Sequence, residues 1–291
     1  MYVRWDLVAC GVRSALWNRG CPREGLMFRD DRMELVDDDV AGQSQASGPG
    51  ERSQERALPG GFVNAVVRVG DTVRRPPAPG FAHDLLHHLE QHGWAGAPNH
   101  LGTDDQGRDI LTFVAGHVPW KPPRPAWLRS EESLARVAAL VREFHDLTAG
   151  TDLAGDHEVV CHNDLSPRNT IYRDGSPVAF IDWDTAAPGL RVQDVAHVCW
   201  QYAGLGAEVL DPVLAGRLIR VVADAYGLED RAGLVRTVLW WQDRCWQGIE
   251  RAADGGDVAM GRLREAGVVG EVQAAWGWTA RHRGELEQGL G

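Results

Sequence analysis

The sequence is poor in the features that mark disulfide-rich, zinc-binding and membrane-spanning proteins. Its five cysteines are odd in number and include no Cys-x2-Cys pair, which argues against a disulfide framework or zinc site and favours reduced thiols. No apolar run approaches the eighteen or so residues that a membrane span needs, and the N-terminus lacks a secretory signal pattern. We therefore expect a cytoplasmic protein with no membrane partner.

Basic residues are also scarce, with 30 Lys and Arg against 41 Asp and Glu, so the net charge is −11. This balance argues against a nucleic-acid partner and is compatible with a cationic ligand. The length of 291 residues and the 44% hydrophobic content predict a globular protein with either two lobes or two domains.

The first 55 residues lack a regular apolar pattern and end in a polar tract over residues 42–55. Such a tract buries too little apolar surface to offset the entropy lost on ordering. We expect residues 1–55 to be a largely disordered N-terminal extension, although a short element around residues 33–36 could add an edge strand.

The most informative stretch covers residues 160–184. Two short apolar runs, Thr170 to Tyr172 and Val178 to Ile181, flank the turn residues 173–177, which is the pattern of a β-hairpin. A hairpin brings Asn169, before the first strand, beside Asp182, after the second. One amide oxygen and one carboxylate there suit Mg²⁺, which prefers hard oxygen ligands and keeps several waters.

A third polar residue, Asp164, lies in the loop that precedes this hairpin. The layout Asp-x4-Asn with a second Asp thirteen residues later is that of a kinase catalytic loop. The segment HNDLSPRN at residues 162–169, followed by IDWD at 181–184, resembles the aminoglycoside phosphotransferase family, whose relatives include choline kinases and protein kinases. Asn163 stands where that family commonly has glycine.

The resemblance implies an α+β, two-lobed protein-kinase-like fold. A small antiparallel β-sheet N-lobe over residues 56–115 would bind nucleotide, and a larger, mainly helical C-lobe over 116–291 would carry the catalytic loop and substrate site. Asp164 would act as the catalytic base, with Asn169 and Asp182 on Mg²⁺ and ATP as the phosphoryl donor. Asp194 would hydrogen-bond the backbone of the catalytic loop.

The N-lobe residues of the site are also implied by the resemblance. A glycine-rich loop, which lacks the Gly-Lys-Ser/Thr of a P-loop, would cover the phosphates, a basic residue would contact them, and a hinge would bind adenine through its backbone. The corresponding residues are Gly60, Gly61 and Asn64 for the loop, Arg74 for the phosphates, and Thr112, Phe113 and Val114 for the hinge.

Two points in the N-lobe stay open from sequence. Arg75 follows Arg74, and strand alternation lets only one of them face the cleft. The helix expected over residues 81–92 offers His83 or Asp84 where the family has Glu. His87 and its neighbours His88 and His92 are interpreted as a solvated helix face rather than a metal cluster.

The rest of the chain shows helical periodicity. Helices are expected over 130–149, from 191, and over 212–226, 230–253, 258–266 and 268–288. Trp240, Trp241 and Trp246 are assigned mostly to the core, although one of them could line a ring-binding cleft.

The function predicted is transfer of the ATP γ-phosphoryl group to a hydroxyl of a small, aminated or cationic acceptor, as in antibiotic resistance by aminoglycoside phosphorylation. Asp184, Glu250, Asp254 and Asp257 are expected to line such an acceptor site. Two alternatives share the motifs: a kinase for choline, a hexosamine or homoserine, and a nucleotide-binding pseudokinase, which the missing helix Glu would suit. The sequence leaves the oligomeric state unknown.

Overall fold

The computed structural model describes residues 55–58, 66–120, 125–206 and 211–291. The predicted N-terminal extension, apart from Glu55, and the short element around residues 33–36 lie outside these ranges. The same holds for Gly60, Gly61 and Asn64 of the predicted phosphate loop. No helix in the described ranges is both long and apolar enough to cross a membrane.

The N-terminal lobe is an antiparallel sheet with one helix packed beside it. Its strands are β1 (Arg56–Ala57), β2 (Val67–Val69), β3 (Thr72–Arg75), β4 (His100–Thr103) and β5 (Asp109–Thr112), in the order β1-β2-β3-β5-β4. Gly70 has a φ of 60°, which allows the tight turn between β2 and β3. Helix α1 (Gly80–Gln91) buries Leu85, Leu86 and Leu89.

The C-terminal lobe is mainly helical. It contains α2 (Glu131–Thr148), α3 (Arg191–Ala203), α4 (Pro212–Tyr226), α5 (Leu234–Asp254), α6 (Val258–Glu265), α7 (Val268–Arg281) and α8 (Arg283–Leu290). Two small sheets pair β6 (Val159–Cys161) with β9 (Ala187–Gly189), and β7 (Thr170–Arg173) with β8 (Ser176–Phe180). The predicted α+β, two-lobed kinase-like fold is confirmed.

Helix α2 organises the core of this lobe, because it packs against α3, α4, β6 and β8. It begins after Ser130, whose hydroxyl oxygen accepts a hydrogen bond of 3.2 Å from the backbone N–H of Ser133. Such a cap satisfies one of the unpaired donors at a helix start. Its buried residues Val137, Val141 and Phe144 follow the helical spacing seen in the sequence.

The predicted helix over residues 268–288 is two helices, α7 and α8, with a break at His282. The break lets α8 turn back onto α4. Gly216 and Gly289 meet at that contact, where a Cβ on Gly216 would lie 2.9 Å from the Cα of Gly289. The absence of side chains at both positions is therefore what permits the close approach.

Among the cysteines, Cys161 and Cys199 are free and buried. Burial raises the pKa of the Cys199 thiol, so this group is unreactive near neutral pH. The expectation of reduced thiols is wrong for Cys245, which is disulfide-bonded.

Candidate active site

The β7–β8 hairpin has the geometry expected from its turn residues. Asp174 and Gly175 both take positive φ values, 51° and 77°, as a two-residue turn between right-twisted strands requires. Thr170 pairs with Phe180. Just beyond that pair, the backbone N–H of Ile181 donates to the carbonyl oxygen of Asn169 at 2.9 Å. Asn169 and Asp182 therefore lie on neighbouring strand ends and line the same cleft.

Asn169 is oriented by the catalytic loop. Its Nδ2 donates to the carboxylate Oδ2 of Asp164 at 2.8 Å and to the Asp164 carbonyl at 2.9 Å. Because the amide nitrogen is used in this way, the amide oxygen points away from Asp164. Asp164 itself is 4% exposed and lies immediately behind Asn169.

The donor set at this end of the cleft fits a magnesium ion. The amide oxygen of Asn169 and the carboxylate of Asp182 are hard oxygen ligands, and two such ligands leave room for water and phosphate oxygens. A cationic group already faces the Asp182 carboxylate, since Nη1 of Arg75 lies 3.5 Å from its Oδ1.

Asp194 anchors the backbone of the loop that carries Asp164. Its Oδ2 accepts from the N–H of His162 at 2.6 Å, its Oδ1 from the N–H of Asn163 at 3.0 Å, and His145 Nε2 contacts it at 3.2 Å. Burial raises the pKa of this carboxyl, but its hydrogen bonds bring the pKa below its ordinary value. Asp194 is therefore an ionised anchor for the loop, the role that the resemblance implied.

Asn163, the departure from the family pattern, occupies a left-handed backbone position with φ of 63°. Glycine takes this conformation most easily, and asparagine is among the few other residues that adopt it routinely. The Asn163 Nδ2 also donates to the carbonyl of Thr185 at 3.0 Å. Asparagine thus keeps the loop conformation and adds a bond to the segment after Asp182.

The structure places Arg75, rather than Arg74, at the site. Arg75 is 8% exposed, and its guanidinium contacts Asp182 and, more closely, Asp184. Burial lowers the pKa of Arg75, but Asp184 and Asp182 raise it above its ordinary value. The side chain of Arg74 instead bonds Thr72 at 2.6 Å and lies 3.7 Å from Asp104. Alternation along β3 accounts for the difference.

The counter-ion that the family takes from the helix is supplied here by the C-terminal lobe. On α1, His83 bonds Asp109 at 2.8 Å. Arg75 is paired instead with Asp184, two residues after Asp182. No local sequence pattern predicts this ion pair, because residues 75 and 184 meet only when both lobes have folded.

A cleft of about 730 Å³ separates the lobes. This volume is ordinary for a small-molecule site. Apolar side chains from the N-terminal lobe, Val66 and Val73, and from the C-terminal lobe, Ile171 and Ile181, line it. Such walls suit the two faces of a flat ring. Arg75, Asn169 and Asp182 also line the cleft, so an apolar slot and a charged region share one cavity.

The predicted hinge residues all line this cleft, but they differ in whether their backbone groups are already hydrogen-bonded. The N–H of Thr112 donates to Asn99 at 3.0 Å and that of Phe113 donates to Asp71 at 2.9 Å. Among the described residues, neither the N–H nor the C=O of Val114 has a hydrogen-bond partner. Val114 is thus the predicted hinge residue with neither backbone group paired among the described residues.

Two further predictions concern the helices. Trp241 is buried and its indole N–H donates to the Gln193 carbonyl at 2.7 Å, whereas Trp240 is 43% exposed. Among the described residues, the groups of potential metal ligands do not include His87, His88 or His92. Of the predicted acidic lining, Glu250 and Asp254 pair with Arg264 at 3.4 and 2.7 Å on the surface.

Comparison with known proteins gives the same family as the site. Residues 147–233 match the family model described as phosphotransferase enzyme family, APH. The chain is 30% identical over 281 residues to the trifolitoxin immunity protein of Rhizobium leguminosarum bv. trifolii, an alignment that covers 82% of this chain and 99% of that protein.

Solved structures share the fold at lower identity. A choline/ethanolamine kinase family protein from Mesorhizobium loti superposes with a TM-score of 0.54 and 17% identity, covering 82% of this chain and 94% of that one. An aminoglycoside phosphotransferase from Streptomyces rimosus ATCC10970, in complex with ADP and streptomycin, gives a TM-score of 0.51 and 15% identity over 68% and 94% of the two chains.

Proposed function

Because this chain belongs to the phosphotransferase enzyme family, we propose that it transfers the γ-phosphoryl group of ATP to a hydroxyl group of a small molecule. The observation that carries this proposal is that Asn169 and Asp182 line one cleft together with apolar side chains, and that Asp164 is hydrogen-bonded to Asn169. A nucleoside triphosphate has the matching division into a flat ring and a charged tail.

In the proposed complex the adenine lies between Val73 and Ile181 and bonds the backbone of Val114. The phosphates extend toward Arg75, whose guanidinium presents several donors in a fixed fork suited to phosphate oxygens. A phosphate bound there would partly replace Asp184 and Asp182 as the anionic partner of Arg75. The ADP bound to the Streptomyces rimosus relative supports this reading of the cleft.

Asp164 is the proposed catalytic base. Its hydrogen bond from Asn169 fixes Oδ2, and the anchoring of the loop by Asp194 fixes the backbone on which it is carried. A carboxylate held in this way orients an acceptor hydroxyl and accepts its proton as the oxygen–phosphorus bond forms and the bond from the γ-phosphorus to the ADP oxygen breaks. In phosphoryl transfer most of the catalysis comes from such positioning and from charge stabilisation.

Mg²⁺ would be held by the amide oxygen of Asn169 and the carboxylate of Asp182, as the donor set allows. When bound there, it would neutralise charge on the phosphate oxygens. Within this arrangement Asn169 links the two functions, because its nitrogen orients Asp164 while its oxygen faces the metal position.

We propose an aminated, cationic acceptor of the aminoglycoside type. The net charge of −11 favours association with a cation, and the streptomycin complex of a structural relative is consistent with such an acceptor. A cytoplasmic location, where ATP is available, belongs to the same proposal.

A second candidate function rests on the curated relative, which is an immunity protein. On this reading the chain protects its host against a toxin, and the toxin is the molecule that is phosphorylated or held. The two candidates share the cleft and differ in the molecule placed beside Asp164.

The test is a phosphorylation screen with mass-spectrometric detection, using Mg²⁺ with ATP or GTP and a panel of aminoglycosides, choline, amino sugars, amino alcohols and peptide toxins. Asp164→Ala should lower turnover by about 10² to 10⁴ while leaving the affinity for Mg²⁺-ATP near wild type. Asp182→Ala should weaken nucleotide binding itself and reduce its dependence on Mg²⁺. Asp174→Asn, at an exposed turn of the same hairpin, is the matched control and should change neither quantity.

A wild-type protein that binds Mg²⁺-ATP and phosphorylates no molecule of the panel would oppose the catalytic proposal and favour the pseudokinase alternative. Equal turnover in wild type and Asp164→Ala would remove Asp164 from the role of base.

A further inference from the structure

A compact group of three potential metal ligands lies in the N-terminal lobe, apart from Asn169 and Asp182. It consists of His83 on α1, His100 on β4 and Asp109 on β5. The three ligand atoms all lie within 4.8 Å of one another. Three separate elements thus bring two imidazoles and one carboxylate together.

The carboxylate of Asp109 is the centre of the group and is 1% exposed. Its Oδ2 accepts from the backbone N–H of Ala78 at 2.7 Å and contacts His83 Nε2 at 2.8 Å. Its Oδ1 faces His100 Nε2 at 3.6 Å, too far for a hydrogen bond, and neither atom has another partner among the described residues. A buried donor or acceptor without a partner is costly, so this gap is a place where a ligand would stabilise the protein.

The spacing of the group suits a small cation. Tetrahedral Zn²⁺ has bonds of about 2.0–2.2 Å to nitrogen and oxygen, which places neighbouring ligand atoms about 3.3 Å apart. His83 Nε2 lies 2.8 Å from Oδ2 of Asp109 and His100 Nε2 lies 3.6 Å from Oδ1, distances on either side of this value. Nitrogen donors favour Zn²⁺ or Co²⁺ over Mg²⁺, which prefers oxygen alone.

We propose that His83, His100 and Asp109 bind one borderline divalent transition-metal ion such as Zn²⁺. His83 and Asp109 also line the cleft between the lobes, so an ion would have a path of entry. Arg75, opposite Asp109 in the sheet, is paired with Asp184 and Asp182. This site is separate from the proposed magnesium position and does not depend on phosphotransfer.

Binding requires one change in side-chain orientation. The rings of His83 and His100 are stacked, with centroids 4.0 Å apart and planes within 8°. A nitrogen lone pair lies in the plane of its ring, so two stacked rings cannot both point at one ion. Turning one imidazole about its Cβ–Cγ bond brings the lone pairs together, and His100, with its unbonded Nε2, is the ring that can turn without losing a hydrogen bond.

The test uses the full chain with any affinity tag removed. Co²⁺ titration followed by visible absorption reports the number and type of ligands, and calorimetry with Zn²⁺ reports affinity. We expect one ion per chain in the wild type, and an affinity at least about tenfold lower in His83→Ala and in His100→Ala. His83→Gln and His100→Gln serve if an alanine variant fails to fold.

Two controls separate this site from other histidines and from the magnesium position. His87→Ala removes an imidazole on the same helix that is 67% exposed and should retain full affinity. Asp182→Asn should likewise retain full affinity for the metal ion. The proposal is overturned if the wild type binds neither ion, if His83 and His100 variants keep wild-type affinity, or if His87→Ala weakens binding as much as they do.

Discussion

The substitution Asp194→Asn tests whether the catalytic loop depends on a buried negative charge. It keeps the size of the side chain and removes its charge. The carboxylate of Asp194 accepts from two backbone N–H groups, those of His162 and Asn163, and is fully buried with His145 against it. An asparagine retains only one acceptor oxygen, so its NH₂ group must face one of these donors.

The expected loss of stability follows from the number of acceptor oxygens. A hydrogen bond to a charged group contributes about 1.5–3 kcal/mol, and a buried N–H left without an acceptor costs about 1–3 kcal/mol. Losing one bond and leaving one N–H unpaired therefore lowers the free energy of unfolding by about 2.5–6 kcal/mol. This is a large part of the 5–15 kcal/mol that typical domains have, and it should lower Tm by roughly 10 °C.

Urea denaturation followed by tryptophan fluorescence measures the change, with thermal unfolding as a second measurement. Asp224→Asn is the matched control, because Asp224 is 57% exposed and pairs with Arg231 on the surface at 2.6 Å. An exposed pair of this kind contributes less than about 1 kcal/mol. If Asp194→Asn costs no more than Asp224→Asn, the ionised carboxylate is not what holds the loop.

Two other substitutions address the cleft and the acid stability of the core. Arg75→Ala should weaken Mg²⁺-ATP binding by about 10- to 100-fold, which corresponds to the loss of one or two charged hydrogen bonds. Arg74→Ala should leave the affinity near wild type. If calorimetry shows equal losses in both variants, the assignment of Arg75 is contradicted. Burial lowers the pKa of His197 to about 4. Since the unfolded value is near 6.5, the stability held by neutral His197 is complete above that pH and is lost as pH falls toward 4, by about 2 kcal/mol between pH 7 and 5. His197→Asn, which can keep the donor to the Leu165 carbonyl, should reduce this loss in urea titrations at the two pH values, and an unchanged pH dependence would argue against it.

Much of the site could be predicted because its geometry is local. The Asp-Gly turn fixes the pairing of Arg173 with Ser176, and a one-residue register shift between Ile171 and Tyr172 then places the end of β7 at Asn169 beside the segment that carries Asp182. The start of α2 after Ser130 is likewise a local property, since the capping oxygen and the N–H it accepts from are three residues apart.

What the sequence could not decide depends on contacts between distant segments. Alternation shows that Arg74 and Arg75 face opposite sides of β3, but only the pairing with β5 and the position of Asp184 determine which side is the cleft. At the hinge, the N–H groups of Thr112 and Phe113 are used by Asn99 and Asp71, which no local pattern shows. The break at His282 similarly depends on the docking of α8 against α4.

The ion pair of Arg75 has a consequence for how nucleotide and metal would cooperate. Arg75 links the β-sheet to Asp182 and Asp184 of the other lobe, so the resting cleft already contains a cation and two anions in mutual contact. Under the proposed function, a phosphate alone would draw Arg75 away from two half-buried carboxylates, and a metal alone would face Asp182 with a guanidinium beside it. When both arrive together the charges simply exchange partners. Under the proposed function the protein would therefore bind the nucleotide and the metal more tightly together than either one alone.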